Sequence, residues 1–164
     1  MVQYYHEKGC DSLENNVDFN VMKMTLDDVS AVSELENECF SAPWSEKSLS
    51  ESLQNGNSVF LCAKKGGKTV GYIGTSVVLD EAYVSDIAVS KSERRKGIGE
   101  KLLAECEKIC RERNCSFLSL EVRKSNFAAI SLYEKCGFDL VGERKNFYSE
   151  PRENALIMTK YFKD

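Results

Sequence analysis

The stretch Asp86-Ile87-Ala88-Val89, then Ser90 to Glu93, then Arg94-Arg95-Lys96-Gly97-Ile98-Gly99, decides the fold. The pattern predicts a buried strand, a short basic loop and a long helix that begins at two closely spaced glycines. The first amides of a helix have no internal partner, and the helix dipole adds partial positive charge there. Glycine lets a ligand approach the backbone closely, and three adjacent cations extend the charge. The stretch therefore predicts a phosphate or pyrophosphate cradle.

The same pattern is also typical of a tight turn with a solvated, charged rim, so it does not decide function alone. Two other nucleotide-binding motifs are absent. No Lys-Ser or Lys-Thr follows the last glycine, as a P-loop requires. No third glycine stands three residues after Gly99, as a dinucleotide fingerprint requires.

The periodicity on both sides of this stretch predicts strands and helices in the order β-α-α-β-β-β-α-β-α-β-β. Strands are predicted at 19–24, 58–63, 69–79, 82–89, 117–122, 138–141 and 155–161, with turns at 65–68 and 80–81. Helices are predicted from Thr25 towards Phe40 and at 45–53, 98–113 and 126–135. Residues 1–18 are polar and predict a loose tail before a single domain at 19–164.

Composition excludes several classes of protein. With 22 basic and 26 acidic residues the net charge is −4, which argues against a general nucleic-acid binder. No apolar run is long enough for a membrane span, and the acidic start is unlike a signal peptide, so we expect a cytoplasmic protein with no membrane partner.

Cysteine and histidine usage restricts the chemistry. Seven cysteines and one histidine, without an export signal, argue against disulfides and a metal site. Cys106 and Cys110 fall on the apolar stripe of the long helix, which predicts buried thiols. Because His6 is the only imidazole and lies in the predicted tail, acid–base chemistry must use carboxylates, tyrosine or lysine.

A second informative stretch is Leu120-Glu121-Val122-Arg123-Lys124-Ser125-Asn126, which leads into the predicted helix and Gly137-Phe138. A carboxylate at the end of an apolar strand is costly unless it is paired, hydrated or used. Glu121 is therefore a candidate catalytic residue or a salt-bridged one, and Tyr133 is a candidate catalytic residue or a core one.

Together these two stretches resemble one known family. Arg95 to Gly99 resembles the acyl-CoA pyrophosphate motif of the GNAT acetyltransferase superfamily, and Asn126 to Phe138 resembles its second CoA-side segment. The resemblance covers about residues 19–161. Segments at 40–47, 78–82, 120–123 and 146–155 resemble more closely the RimI family of ribosomal-protein-alanine N-acetyltransferases.

The resemblance implies a single α/β (α+β) domain with a mixed, mostly antiparallel sheet flanked by helices on both faces. It also implies that acetyl-CoA lies between two splayed parallel strands, with no metal. It implies that the cofactor is bound by Ile87, Ala88, Val89, Arg94, Arg95, Lys96, Gly97, Ile98, Gly99, Glu100 and Asn126. It implies that Glu121 takes a proton from the attacking amine and that Tyr133 protonates the leaving thiolate. Substrate contacts are expected at Trp44, Glu81 and Tyr148.

Charge distribution fits such a two-sided layout independently of the family. Residues 26–54 hold seven acids and one base, whereas residues 91–113 hold eight bases and five acids. The acidic segment would attract a cationic protein N-terminus, such as that of a ribosomal protein, or is an ordinary solvated helix pair. A small-molecule amine as substrate, or a CoA-binding module without turnover, remain alternatives.

Overall fold

A computed structural model describes residues 18–162, so the tail predicted at 1–18 lies outside the described residues except for Asp18. The strands are β1 (Asn20–Lys23), β2 (Ser58–Lys65), β3 (Lys68–Val78), β4 (Glu81–Val89), β5 (Phe117–Arg123), β6 (Asp139–Ser149) and β7 (Arg152–Tyr161). The helices are α1 (Val29–Cys39), α2 (Glu46–Gln54), α3 (Ile98–Glu112) and α4 (Phe127–Lys135). This order of strands and α-helices is the predicted one.

The local departures from prediction have identifiable causes. Thr25 caps a short 3-10 turn, Leu26–Asp28, and α1 begins only after it. The carboxylate of Asp28 accepts the Thr25 amide hydrogen at 2.8 Å, which fixes this first turn. Glu81 was predicted in a turn but is the first residue of β4, because it pairs with Val78 across the hairpin.

The seven strands form one mixed sheet in the order β1-β2-β3-β4-β5-β7-β6, in which only β4 and β5 run parallel. One face carries a core built with α3 and α4, and the other carries a smaller core under α1 and α2. Helices therefore cover both faces, as predicted. Cys106 and Cys110 are fully buried in the first core, which confirms the prediction of buried thiols.

The parallel pair is the feature that positions the site. β4 and β5 pair at three positions only, from Glu81–Phe117 to Tyr83–Ser119. Beyond these pairs β4 continues along β3 as far as Val89, and β5 continues along β7 as far as Arg123. Among the described residues nothing pairs with the facing edges of the two strands there, so their backbone groups are available to a ligand. We call this opening the splay.

Candidate active site

A β-bulge in β4 aims the side chains that line the splay. Gly74 pairs with Asp86 and Thr75 with Val84, so Ser85 is the extra residue. An extra residue reverses the alternation of side chains between the two faces of a strand. Val84 therefore packs in the α3/α4 core, whereas Asp86 lies on the opposite face together with Ala88.

Two carboxylates consequently stand on the same face at the same level of the splay. Tyr83 of β4 pairs with Ser119 of β5. Glu121 lies two residues after Ser119. Asp86 lies three residues after Tyr83, and because the bulged Ser85 is one of these three, the two carboxylates are at the same level. Glu121 alternates with the core residues of β5 and so points to the α1/α2 face. Its carboxylate is exposed to solvent and lies 3.4 Å from Nε of Arg144.

Asp86 is a site residue that the sequence reasoning missed. Burial, together with the nearby carboxylate of Glu36, raises the pKa of Asp86 from 3.8 to about 7. Within residues 18–162 no cation forms an ion pair with it. The sequence signal that could have found Asp86 is the one used for Glu121, a carboxylate within an apolar strand. The bulge itself has no sequence signal, because the alternation of apolar and polar residues does not show it.

Glu36 is the second missed carboxylate and is fully buried in α1. Its carboxylate accepts hydrogen bonds from the Tyr72 hydroxyl and from the backbone amide of Trp44, the latter at 3.0 Å. Burial raises the pKa of Glu36, and these hydrogen bonds oppose the shift. Trp44, a predicted substrate contact, is thereby fixed in the segment between α1 and α2.

Tyr133 approaches the splay from the other face. It is buried in the α3/α4 core, where its ring packs against Phe138 with centroids 6.0 Å apart. Burial, with smaller contributions from Tyr148 and Asp86, raises the pKa of Tyr133. The hydroxyl therefore keeps its proton at neutral pH and can donate it to an anion in the splay.

The predicted pyrophosphate loop has the geometry of an anion cradle. Gly97 caps α3 with a φ of 82°, a left-handed conformation, and Arg95 has a φ of 64°. A Cβ on Gly99 would lie 3.0 Å from Cδ2 of Leu132, so glycine allows α3 to pack closely on α4. The loop cations Arg94, Arg95 and Lys96 are all exposed.

Several predicted cofactor residues already have partners within the protein. Nε of Arg94 donates to the Val89 carbonyl at 3.1 Å, and Lys96 pairs with Glu93 at 2.9 Å. Glu100 pairs with Lys135 at 2.8 Å, and Asn126 caps α4 by accepting the Ala129 amide hydrogen at 3.2 Å. Ile98 is buried in the core, so only its backbone can face a ligand.

The structure does not bring all of the predicted substrate-side residues together. Tyr148 is half-buried, and burial raises its pKa while Arg123 opposes the shift. Glu81 instead stands at the start of β4, roughly 16 Å along the strand from Asp86. There its carboxylate accepts a hydrogen bond from Tyr83 at 2.5 Å.

The acidic helix pair is less acidic on its surface than its composition predicted. Glu36 is buried, and Asp28 is buried in an ion pair with Lys64 at 2.5 Å. The carboxylate of Glu38 accepts the Lys91 amide hydrogen at 2.7 Å and so joins α1 to the loop before α3. The other four acids are exposed, and one of them, Glu51, pairs with Lys47 at 3.9 Å.

The splay, the bulge and the loop before α3 all lie within the residues that a comparison with protein families matches. The sequence pattern of the acetyltransferase (GNAT) family matches residues 29–138. The chain belongs to the GNAT acetyltransferase family. The GNAT match spans the α1/α2 segment, the splay, α3 and α4.

Two bacterial relatives are similar to this chain over most of its length. A Bacillus subtilis (strain 168) relative is 39% identical over 139 residues, 84% of this chain and 92% of the relative. The ribosomal protein bS18-alanine N-acetyltransferase of Escherichia coli (strain K12) is 36% identical over 140 residues, 84% of this chain and 94% of its own.

Solved structures agree in fold. The crystal structure of the E. coli ribosomal-protein-S18-alanine N-acetyltransferase has a TM-score of 0.79 at 35% identity, covering 86% of this chain and 92% of its own. Arabidopsis thaliana NAA60 in complex with acetyl-CoA has a TM-score of 0.80 at 17% identity, and the match covers 88% of this chain and 99% of the NAA60 chain. In the part of the chain that the structure describes, no helix is both long and apolar enough to cross a membrane.

Proposed function

We propose that this acetyltransferase moves the acetyl group of acetyl-CoA to the α-amine at the N-terminus of a protein, the N-terminal alanine of a ribosomal protein being the expected substrate. The observation that carries the proposal is the splay, with Glu121 reaching it from one face and Tyr133 from the other. The name of the E. coli relative supports the substrate class, because this protein, similar in both sequence and structure, is an alanine N-acetyltransferase of a ribosomal protein.

The acetyl-CoA arm lies between β4 and β5, and the pyrophosphate lies at the start of α3. The segment Ile87-Ala88-Val89 holds the pantetheine and the acetyl carbonyl through those of its backbone groups that point away from β3. The carbonyl of Val89 is already used by Arg94, so this residue contributes its remaining polar groups. The exposed side chains of Arg95 and Lys96 neutralise phosphate charge.

The reaction then proceeds by direct attack. A protonated α-amine, with a pKa of about 8, gives one proton to Glu121, directly or through water. The amine nitrogen bonds to the acetyl carbonyl carbon, and the carbon–sulfur bond breaks. The CoA thiolate takes the proton of the Tyr133 hydroxyl, and the second proton lost by the amine nitrogen passes through water to restore that hydroxyl. Positioning supplies much of the rate.

Mass spectrometry of a peptide panel tests the proposal. The purified enzyme and acetyl-CoA are incubated with peptides that begin with alanine or serine, with N-terminally blocked peptides that carry free lysines, and with small amines. We expect acetyl groups on free N-termini, with alanine preferred. Acetylation of the small amines alone, or no transfer with acetyl-CoA bound, would overturn the proposal.

A further inference from the structure

Arg123, two residues after Glu121 on β5, has no role in the chemistry described above. Its Nη1 donates to the carbonyl of Pro151 at 2.9 Å, and its Nη2 donates to the carbonyl of Glu150 at 3.0 Å. Both carbonyls belong to the turn between β6 and β7. A single guanidinium therefore holds two consecutive carbonyls, a forked geometry that lysine cannot reproduce.

The same guanidinium also fixes the ring of Tyr148. Cζ of Arg123 lies 4.2 Å from the centroid of that ring, which is a stacking distance for a cation and an aromatic face. Tyr148 pairs with Glu153 across the β6–β7 hairpin, and Glu153 in turn pairs with Arg123, two residues from Glu121. Arg123 thus sets the orientation of the Tyr148 ring beside the end of β5 that carries Glu121.

Two other segments join this arrangement. The hydroxyl of Ser41, in the segment between α1 and α2, donates to the Glu150 carbonyl at 3.0 Å, so this carbonyl serves both Ser41 and Arg123. The carboxylate of Glu153 accepts from Nη1 of Arg123 at 3.4 Å and from the Ser125 amide at 2.6 Å. The β6–β7 turn, the α1–α2 segment and the start of α4 therefore meet around one side chain.

We propose that Arg123 is a positioning residue for the amine side of the site, by which we mean the α1/α2 face of the splay, where the substrate amine enters. It holds the β6–β7 turn and Tyr148 against the segment that carries Trp44, so that the first residue of the substrate is bound with its amine at the splay. This inference deepens the proposed function and rests on it. Arg123 exchanges no proton with the substrate; its effect passes through Tyr148 and the turn.

Arg111 provides a matched control elsewhere in the molecule. It forms an ion pair with Glu107 at 2.9 Å, and its Cζ lies 4.4 Å from the centroid of the Phe162 ring. These are the same kinds of contact that Arg123 makes, but they lie at the end of α3 far from the amine side. If the loss of any stacked, paired arginine lowered activity in a general way, substitution of Arg111 and of Arg123 should therefore have equal effects on the kinetic constants.

The experiment compares Arg123→Lys with Arg111→Lys in steady-state kinetics with an alanine-starting peptide. We expect Arg123→Lys to raise the peptide KM about tenfold, equivalent to about 1.4 kcal/mol, while kcat and the acetyl-CoA KM change less than about twofold. Arg111→Lys should leave all three constants near those of the unaltered enzyme. Equal effects of the two variants, or a parallel loss of acetyl-CoA affinity, would overturn the inference.

A double-mutant cycle with Tyr148→Leu tests whether Arg123 acts through the tyrosine. We expect the Arg123→Lys penalty on peptide KM to shrink to less than about threefold in the Tyr148→Leu background. Additive effects would contradict the inference.

Hydrogen exchange gives a readout that needs no substrate. Arg123→Lys should speed amide exchange at residues 146–152 and not in α3, whereas Arg111→Lys should not affect the turn. If the unaltered enzyme acetylates no peptide N-terminus, the proposed function is wrong, and the exchange comparison still decides whether Arg123 holds the turn. Unchanged exchange at 146–152 would refute that part.

Discussion

The stability of the Asp86→Asn variant, relative to that of the parent protein, should increase as the pH rises. Folding raises the pKa of Asp86 from 3.8 to about 7, because burial and the Glu36 carboxylate disfavour its ionised form. The stabilisation that comes from holding this proton is fully present below pH 3.8 and is lost as the pH rises through about 7. Asparagine carries no such proton, so the substitution removes this dependence.

The size of the effect follows from the shift. Each pKa unit corresponds to about 1.4 kcal/mol, so about three units give at most about 4 kcal/mol across the whole range. Between pH 5 and pH 8 the expected change in the stability difference between variant and parent is about 2.5 kcal/mol, with the variant gaining towards pH 8. Partial contact of the carboxylate with water makes these figures upper limits.

Urea unfolding at pH 5, 6, 7 and 8 measures this difference, with the fluorescence of Trp44, the only tryptophan, as the signal. Asp139→Asn is the matched control, because Asp139 is exposed on β6, three strands from β4 in the sheet. Its stability should follow that of the parent protein at every pH. A constant difference between Asp86→Asn and the parent from pH 5 to pH 8 would refute the reasoning.

Further predictions concern the neighbouring groups. Glu36→Gln removes the charge that helps raise the pKa of Asp86. When Asp86→Asn is compared with Asp86 in proteins that both carry Glu36→Gln, the change of their stability difference with pH should therefore be centred at a lower pH. Glu121→Gln and Tyr133→Phe should each lower kcat by about 10²–10⁴-fold with little change in acetyl-CoA affinity by calorimetry; near-normal turnover in both would contradict their roles. Gly74→Ala places a Cβ 2.6 Å from the Phe60 ring, so it should cost about 1–3 kcal/mol in urea unfolding, and a cost near zero would mean that the ring moves freely.

The order of elements could be predicted because each has a clear local signal. The alternation of β2 and β3 on either side of Gly66-Gly67, and the apolar stripe of α3, depend on neighbouring residues only. The loop before α3 could be predicted for the same reason, since its cations and glycines are contiguous in sequence.

The side-chain geometry of the site could not be predicted in this way. The bulge at Ser85 changes which face every later residue of β4 occupies, and it lies beside Gly74, against which the Phe60 ring of β2 packs. The contact of the Arg94 guanidinium with Sγ of Cys39 at 3.5 Å, and the burial of Glu36, likewise depend on α1 packing over the sheet, with Arg94 and Cys39 55 positions apart. Such contacts have no local signature.

The bulge also gives the site its chemical asymmetry. Without it, Asp86 would face the α3/α4 core together with Val84, and Glu121 would stand alone on the amine side. With it, two carboxylates lie on the α1/α2 face, the amine side of the proposed reaction, while the hydroxyl of Tyr133 approaches from the α3/α4 side. In that reaction protons leave the amine nitrogen and one reaches the sulfur, so proton acceptors on one face and a donor on the other would accelerate the transfer. If the proposed function is correct, the arrangement of charge across the splay therefore matters to it more than any single residue does.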